Sequence, residues 1–202
     1  SVAMLNYGDR HGNFVMVKRQ SHGGLDTKLI YRPLDSEIGS NPDRLLWKHR
    51  RKGQPLEQFQ ADETPDASPY DPRTRPWYSP WTEDDPENPG FKRFQSRPED
   101  VLWTDVYLFS SDKLPGITAS LPHLDESGEL LGVVEVDIAL VDLSDFLRDL
   151  QIKENGTAFL IDGRQNLVAA RSVADLRLQQ GESETKLRPV SESEDARIRT
   201  LA

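Results

Sequence analysis

Nine consecutive residues, Tyr70-Asp71-Pro72-Arg73-Thr74-Arg75-Pro76-Trp77-Tyr78, carry two guanidinium groups, three aromatic rings, one carboxylate and two prolines. Proline fixes its own φ and removes an amide donor, so the segment is stiff. The residue before a proline is pushed out of the helical region, and Asp71 and Arg75 are therefore expected to be extended. A stiff strip of this composition suits a preformed pocket wall. Arginine is always charged and presents a planar fork of donors that matches a carboxylate. Tryptophan and tyrosine add large apolar faces, each with one polar handle. Together these groups can hold a small zwitterion or acid.

An α-amino acid needs a donor fork at one end and a carboxylate at the other. Arg75 supplies the fork, at roughly 1.5–3 kcal/mol for each charge-assisted hydrogen bond. Asp137 supplies the acid, from within the apolar run Leu130 to Leu140. Rings of Trp77, Tyr78 and Tyr107 can add cation–π attraction of ~0.5–2 kcal/mol to an ammonium group. An acid inside an apolar strand is costly unless paired. A ligand ammonium would pair it, and so would an internal arginine. In that competing reading Asp137 is an ordinary buried partner of Arg73 or Arg75 and the aromatic residues are core. Arg73 and Asp71 are expected to brace the turn, and Trp47, Trp81 and Trp103 to serve packing.

Catalytic patterns are weak by contrast. The histidines at 11, 22, 49 and 123 are scattered, without metal-ligand spacing on a helix. Ser110-Ser111 lacks a nucleophile elbow, and Gly23-Gly24 lacks the lysine of a phosphate loop. Cysteine is absent, which excludes disulfide scaffolds and thiolate metal sites. The Glu83-Asp84-Asp85 run lacks the alternating ligands of a calcium loop. No metal, no cofactor and no enzymatic activity are expected of this chain. With 34 acidic against 25 basic residues the net charge is −9, which disfavours nucleic acid as a partner. The short basic run at 48–52 reads as a solvated strand end or turn. No apolar stretch reaches the ~18 residues that cross a bilayer. The start at Ser1, without an initiator methionine or signal peptide, reads as a piece cut from something longer.

Several elements must position these groups. Gly12-Asn13 reads as a turn feeding a strand from Phe14, and Ser21 to Gly24 as the turn to a second strand, Thr27 to Leu34. Leu45 to Trp47 and Leu56 to Phe59 form a second hairpin, with a helix over 42–51 as the alternative. Residues 82–100 read as a long surface loop. Val101 to Ser110 and Gly116 to Pro122 are strands, Asp125 to Glu129 a turn, and Leu130 to Leu140 the strongest strand of the chain. A helical period follows through Leu143, Phe146, Leu147 and Leu150, capped by Asp142. Asn155-Gly156 ends it. Strands at 157–161 and 166–170 around Asp162-Gly163 begin a smaller module, and the last thirty residues are polar and carry no readable pattern.

The order of these pieces resembles the double Cache family of extracytoplasmic sensors. The likeness rests on Gly12-Asn13-Phe14, Tyr70 to Tyr78, Trp103 to Tyr107, Gly128 to Ile138 and Asn155 to Asp162. It implies an α+β fold of PAS-like antiparallel sheets flanked by helices. Residues 1–140 would be a membrane-distal ligand-binding module, 141–152 a connecting helix, and 153–202 a smaller membrane-proximal module. It also implies a long N-terminal helix and transmembrane segments outside this chain, and a homodimeric bacterial receptor of the inner membrane with the sensor in the periplasm. A cyclase, histidine kinase or chemotaxis module would sit on the cytoplasmic side. In the amino-acid-binding branch the resemblance assigns the ligand carboxylate to Tyr70, Arg75 and Trp77, and its ammonium to Tyr78, Tyr107 and Asp137. Alternatives are the same fold with an organic acid or purine, or an interaction module without a small-molecule site.

Overall fold

The computed structural model describes residues 4–20, 23–55, 58–63, 70–82, 100–111, 115–150, 156–171, 179–180 and 185–200. The loop expected at 82–100 lies almost wholly outside these residues, as do His22, Leu56 and Asn155. The chain forms two compact units, one of Val2–Thr104 with Thr118–Asp137, the other of Asp105–Ile117 with Ile138–Ala202.

The first unit is built on an antiparallel sheet. Its strands are β1 (Met4–Asp9), β2 (Phe14–Arg19), β3 (Leu25–Tyr31), β4 (Arg44–Arg50), β5 (Gln60–Glu63), β6 (Leu102–Trp103), β8 (Pro115–Leu124) and β9 (Leu130–Ala139). The order is β5-β4-β3-β2-β1-β9-β8-β6, so the first strand and the last lie side by side near the middle. β1 and β2 turn tightly at Gly12, whose φ of 86° is in the left-handed region. Asp9 holds that turn, its carboxylate accepting from the amides of His11 at 2.9 Å and Asn13 at 2.8 Å.

β1 was not legible in the sequence, because Asn6 and Gly8 fall on its buried side and blur the alternation. β4 is a strand and excludes the helix over 42–51. All seven of its residues pair with β3, and buried Leu45 lies opposite buried Ile30. Its partner β5 begins at Gln60, later than the stretch expected to pair there. The strand expected from 101 to 110 is two short ones, β6 and β7 (Tyr107–Leu108). Between them the Thr104 hydroxyl, rather than a ladder carbonyl, accepts the Thr118 amide at 3.0 Å.

β9 alternates in a way its composition hides. Val133, Glu135 and Asp137 are buried, while Val134 between them is 38% exposed. The acids face the interior and the valine faces out. Register sets their neighbours: Asn6 of β1 lies opposite Glu135, and Met4 opposite Asp137. Asn6 also lies opposite Met16 of β2, and Met16 opposite Lys28 of β3, so one inner row runs Lys28, Met16, Asn6, Glu135.

In the second unit, helix α1 (Leu140–Asp149) begins directly after β9. Ala139 occupies the N-cap position without a side-chain bond, and Asp142 sits in the first turn, where its charge suits the helix dipole but caps nothing. Because the helix starts at Leu140, its buried face is Leu140 and Leu147, whereas Phe146 is 58% exposed. The hairpin of β10 (Phe159–Ile161) and β11 (Leu167–Ala170) follows, its turn held by Asp162, which accepts from Asn166. Leu140, Leu167, Val168, Ala170, Val190 and Ile198 form one core. The polar C-terminal stretch therefore contributes two core residues that the sequence pattern did not single out. Short strands β12 (Gln179–Gln180) and β13 (Thr185–Lys186) and helix α2 (Ala196–Arg199) complete the unit.

Gly8 sets how closely the 70–78 segment meets the sheet. A Cβ there would lie 2.7 Å from the Pro72 Cβ and 3.2 Å from the Trp77 ring. Gly8→Val is expected to destabilise by about 1–3 kcal/mol through overpacking. The checks are a lower midpoint in thermal circular dichroism and a red-shifted tryptophan emission.

Candidate functional site

The 70–78 segment takes the conformation its prolines dictate. Asp71 (φ −118°, ψ 120°) and Arg75 (φ −88°, ψ 150°) are both extended. Between them Pro72–Thr74 form a 3-10 turn, and Ser79–Trp81 form another just beyond. Asp71 caps the first turn and pairs with Arg73 at 2.7 Å. Burial raises the Asp71 carboxyl's pKa, but hydrogen bonds from Arg73 and the Gly39 amide outweigh it and hold the value below the ordinary range. Arg73 also donates to the carbonyls of Ser36 and Glu37, both at 3.1 Å. These two residues brace the turn, as their types and spacing suggested.

A brace the sequence did not reveal is Arg32. Its buried guanidinium donates to the carbonyls of Gly12 and Tyr70, each at 2.6 Å, and so ties the β1–β2 turn to the start of the segment. At the other end the Trp81 indole donates to Ser120 on β8 at 3.0 Å. Pinned at both ends, the segment presses its rings onto the sheet. Phe14 meets Tyr70 at 4.8 Å and Trp77 at 6.4 Å between centroids.

The acids lie on the inner face of this unit. Asp137 is 3% exposed and Glu135 1% exposed. The Asn6 side-chain amide donates to both, to Asp137 at 3.1 Å and to Glu135. The Thr118 hydroxyl donates to the other Asp137 oxygen. Burial first, and the neighbouring Asp137 charge second, push the Glu135 carboxyl well above the usual range, with Arg75 acting against them. Burial likewise raises the Tyr70 phenol, with Arg75 lowering it and the Glu135 and Asp137 charges raising it further. The Arg75 guanidinium lies 5.8 Å from the centre of the Tyr70 ring, and the Lys28 ammonium 5.3 Å from it.

Of the six residues expected at the site, Tyr70, Arg75, Trp77 and Asp137 share this neighbourhood. Tyr78 is fully buried against Trp77, with ring centroids 5.5 Å apart. Its hydroxyl makes no hydrogen bond, and burial and the Asp9 charge raise its pKa. The charges acting on it are those of Asp9, Tyr7, Arg73 and Asp71, not the acid pair. Tyr107 belongs to the second unit, on β7 opposite Gly116, with its ring edge-on to Phe109 at 5.5 Å. Glu135, Asn6, Thr118 and Lys28 were missed. The signal for Glu135 was available, since it lies two positions before Asp137 and residues i and i+2 of a strand share a face. Trp103 is not a packing residue, at 53% exposed, whereas Trp81 is buried.

Residues 49–145 match the family model described as methyl-accepting chemotaxis protein-like, first PDC sensor domain. The methyl-accepting chemotaxis protein McpC of Bacillus subtilis is 30% identical over 115 residues, 56% of this chain and 15% of that protein. Among solved structures, the ligand-binding domain of the Campylobacter jejuni chemoreceptor Tlp3, in complex with 4-methylisoleucine, aligns with a TM-score of 0.47 at 18% identity, covering 90% of this chain and 49% of that one. That of the Pseudomonas fluorescens chemoreceptor CtaA, in complex with L-alanine, aligns with a TM-score of 0.43 at 16% identity, covering 86% and 49%. The chain thus spans about half the length of each of these solved domains.

The braced turn has a testable pH dependence. Asp71 has a depressed pKa in the folded chain, so its contribution is present above the ordinary aspartate range and is lost as pH falls through it. Asp71→Asn is expected to lower stability by about 1.5–3 kcal/mol at neutral pH. In parallel denaturant titrations of both chains, the gap should close in acid.

Proposed function

We infer from residues 49–145, which carry a sensor domain of the methyl-accepting chemotaxis protein-like PDC class, that this chain is the extracytoplasmic ligand-sensing part of a bacterial receptor and binds an amino acid. One observation carries the reading. A guanidinium, Arg75, lies 5.8 Å from the centre of the Tyr70 ring, and the charge of a buried strand-borne acid, Asp137, reaches the phenol of the same residue. Opposite charges beside one aromatic ring match the two ends of a zwitterion. Arg75 takes the ligand carboxylate, with Tyr70 and Trp77 forming the wall beside it. Asp137 takes the ammonium.

The same reading makes residues 1–140 the membrane-distal module, 141–152 its connecting helix and 153–202 a membrane-proximal module. The whole receptor is then a membrane-anchored homodimer that passes the signal to a cytoplasmic output domain. Ligand shifts its balance of conformations only by its differential affinity for the two states. No helix among the described residues is long and apolar enough to cross a membrane, so anchoring rests on segments outside them.

Thermal shift against the twenty L-amino acids tests the ligand class. At least one is expected to raise the midpoint, by an amount that grows with its concentration. Arg75→Ala and Asp137→Ala should each weaken binding roughly tenfold to a hundredfold in calorimetry. No response to any amino acid, with both variants melting like the parent, would reject the reading.

A further inference from the structure

The inner face of the sheet holds more acid than one ammonium contact requires. Glu135 is 1% exposed, and its Oε2 has no N–H or O–H partner, although the carboxyl lies within hydrogen-bonding reach of Asp137, which favours a proton held between the two acids. Its Oε1 is taken by the Asn6 amide, which donates also to Asp137. Asn6 Nδ2 thus shows the spacing of the two carboxylates directly: one nitrogen bearing two N–H groups bridges them. The Asn6 Oδ1 is a second buried acceptor without a donor. A buried acceptor left open costs about 1–3 kcal/mol, more when charged. A donor arriving with the ligand would relieve it.

We propose that Glu135 is a second ligand-reading acid, whose Oε2 takes one N–H of the ligand's ammonium while Asp137 takes another, so that the site selects ammonium groups with at least two N–H bonds over tertiary and quaternary ones. This rests on the amino-acid reading above and refines it at the cationic end. A nitrogen with two or more N–H groups can bridge both acids as Asn6 does. A dimethylated nitrogen has one N–H and a trimethylated nitrogen none, and their methyl groups would face one of the two acids. The selectivity therefore comes from counting donors, not from charge alone.

The arrangement also couples binding to protons. The groups that face Glu135 are Asp137 on its own strand, Asn6 from β1, and Arg75 and Tyr70 from the overlying segment; Thr118 from β8 holds Asp137 in place. Burial and Asp137 favour the protonated form of Glu135 in the empty site, against Arg75. A bound ammonium favours the ionised form, so binding releases that proton to solvent. Affinity is expected to rise with pH until Glu135 is ionised in the free protein, and then to level off.

The test is calorimetry on the whole chain, with the tightest binder of the twenty L-amino acids, its N-methyl and N,N-dimethyl derivatives, and two buffers of different ionisation enthalpy. The N,N-dimethyl compound is expected to bind at least tenfold more weakly than the parent, with the monomethyl compound closer to it. Glu135→Gln should weaken the parent about tenfold to a hundredfold and abolish proton release. Equal affinity for the dimethyl compound, or a Glu135→Gln chain with unchanged affinity and proton release, overturns the proposal. Should that variant not fold, the N-methyl series on the unaltered chain decides. If amino acids bind and Glu135 proves silent, only this proposal falls. If no amino acid binds the unaltered chain, the amino-acid reading falls, and this one with it.

Discussion

Two carboxylates spaced two residues apart on one strand must point to the same side of the sheet, and once buried there they demand donors. Glu135 and Asp137 impose that demand on everything around them. Asn6 is drawn onto the inner face of β1 to bridge them, and Thr118 onto that of β8 to complete Asp137. A row that an ordinary sheet would fill with valine and leucine is instead polar at its centre. Such a centre lowers the stability of an unliganded sheet. It is the kind of local departure from good packing that marks sites where a protein does something besides fold.

The cover over this row is held by cations that do not belong to the binding chemistry. Arg73 is consumed by Asp71 and by two loop carbonyls, and Arg32 by three carbonyls drawn from different parts of the chain. Arg75 has a different part. Its guanidinium lies over Tyr70 and its charge reaches Glu135. A segment with two arginines two residues apart thus divides the work, one bracing the turn and one lying over Tyr70. Under the proposed function the bracing matters because an oriented fork is worth more than a mobile one: the ordering cost is met in folding rather than in binding.

Much of this was readable in residue types and spacing. The pre-proline rule placed Asp71 and Arg75 in extended backbone, the bracing of the turn by Asp71 and Arg73 followed from their charges and spacing, and the length of the apolar run gave β9 as a long central strand. What failed failed for identifiable reasons. β1 carries Asn6 and Gly8 where a strand pattern expects apolar residues. Pro42 invited a helix where pairing with β3 prevailed, since cross-strand burial of Leu45 against Ile30 outweighs a weak local preference. Asp142 looked like a cap only because the helix was taken to begin three residues late. Glu135 was passed over because it sits among valines, although its separation from Asp137 already put the two acids on one face.

By itself the sequence determined the chemistry on offer: a rigid strip of arginine and aromatic residues, an acid on an apolar strand, an acidic chain without cysteine, and a sheet-forming pattern. Those are local properties, set by proline geometry, residue charge and short-range alternation. Only the tertiary structure decided which groups meet. Cross-strand register put Asn6 beside Glu135 and Thr118 beside Asp137, and Arg32 carried the start of the strip to the turn at Gly12. Register and long-range hydrogen bonds join residues from 19 to 131 positions apart, and no period within the chain encodes such a pairing.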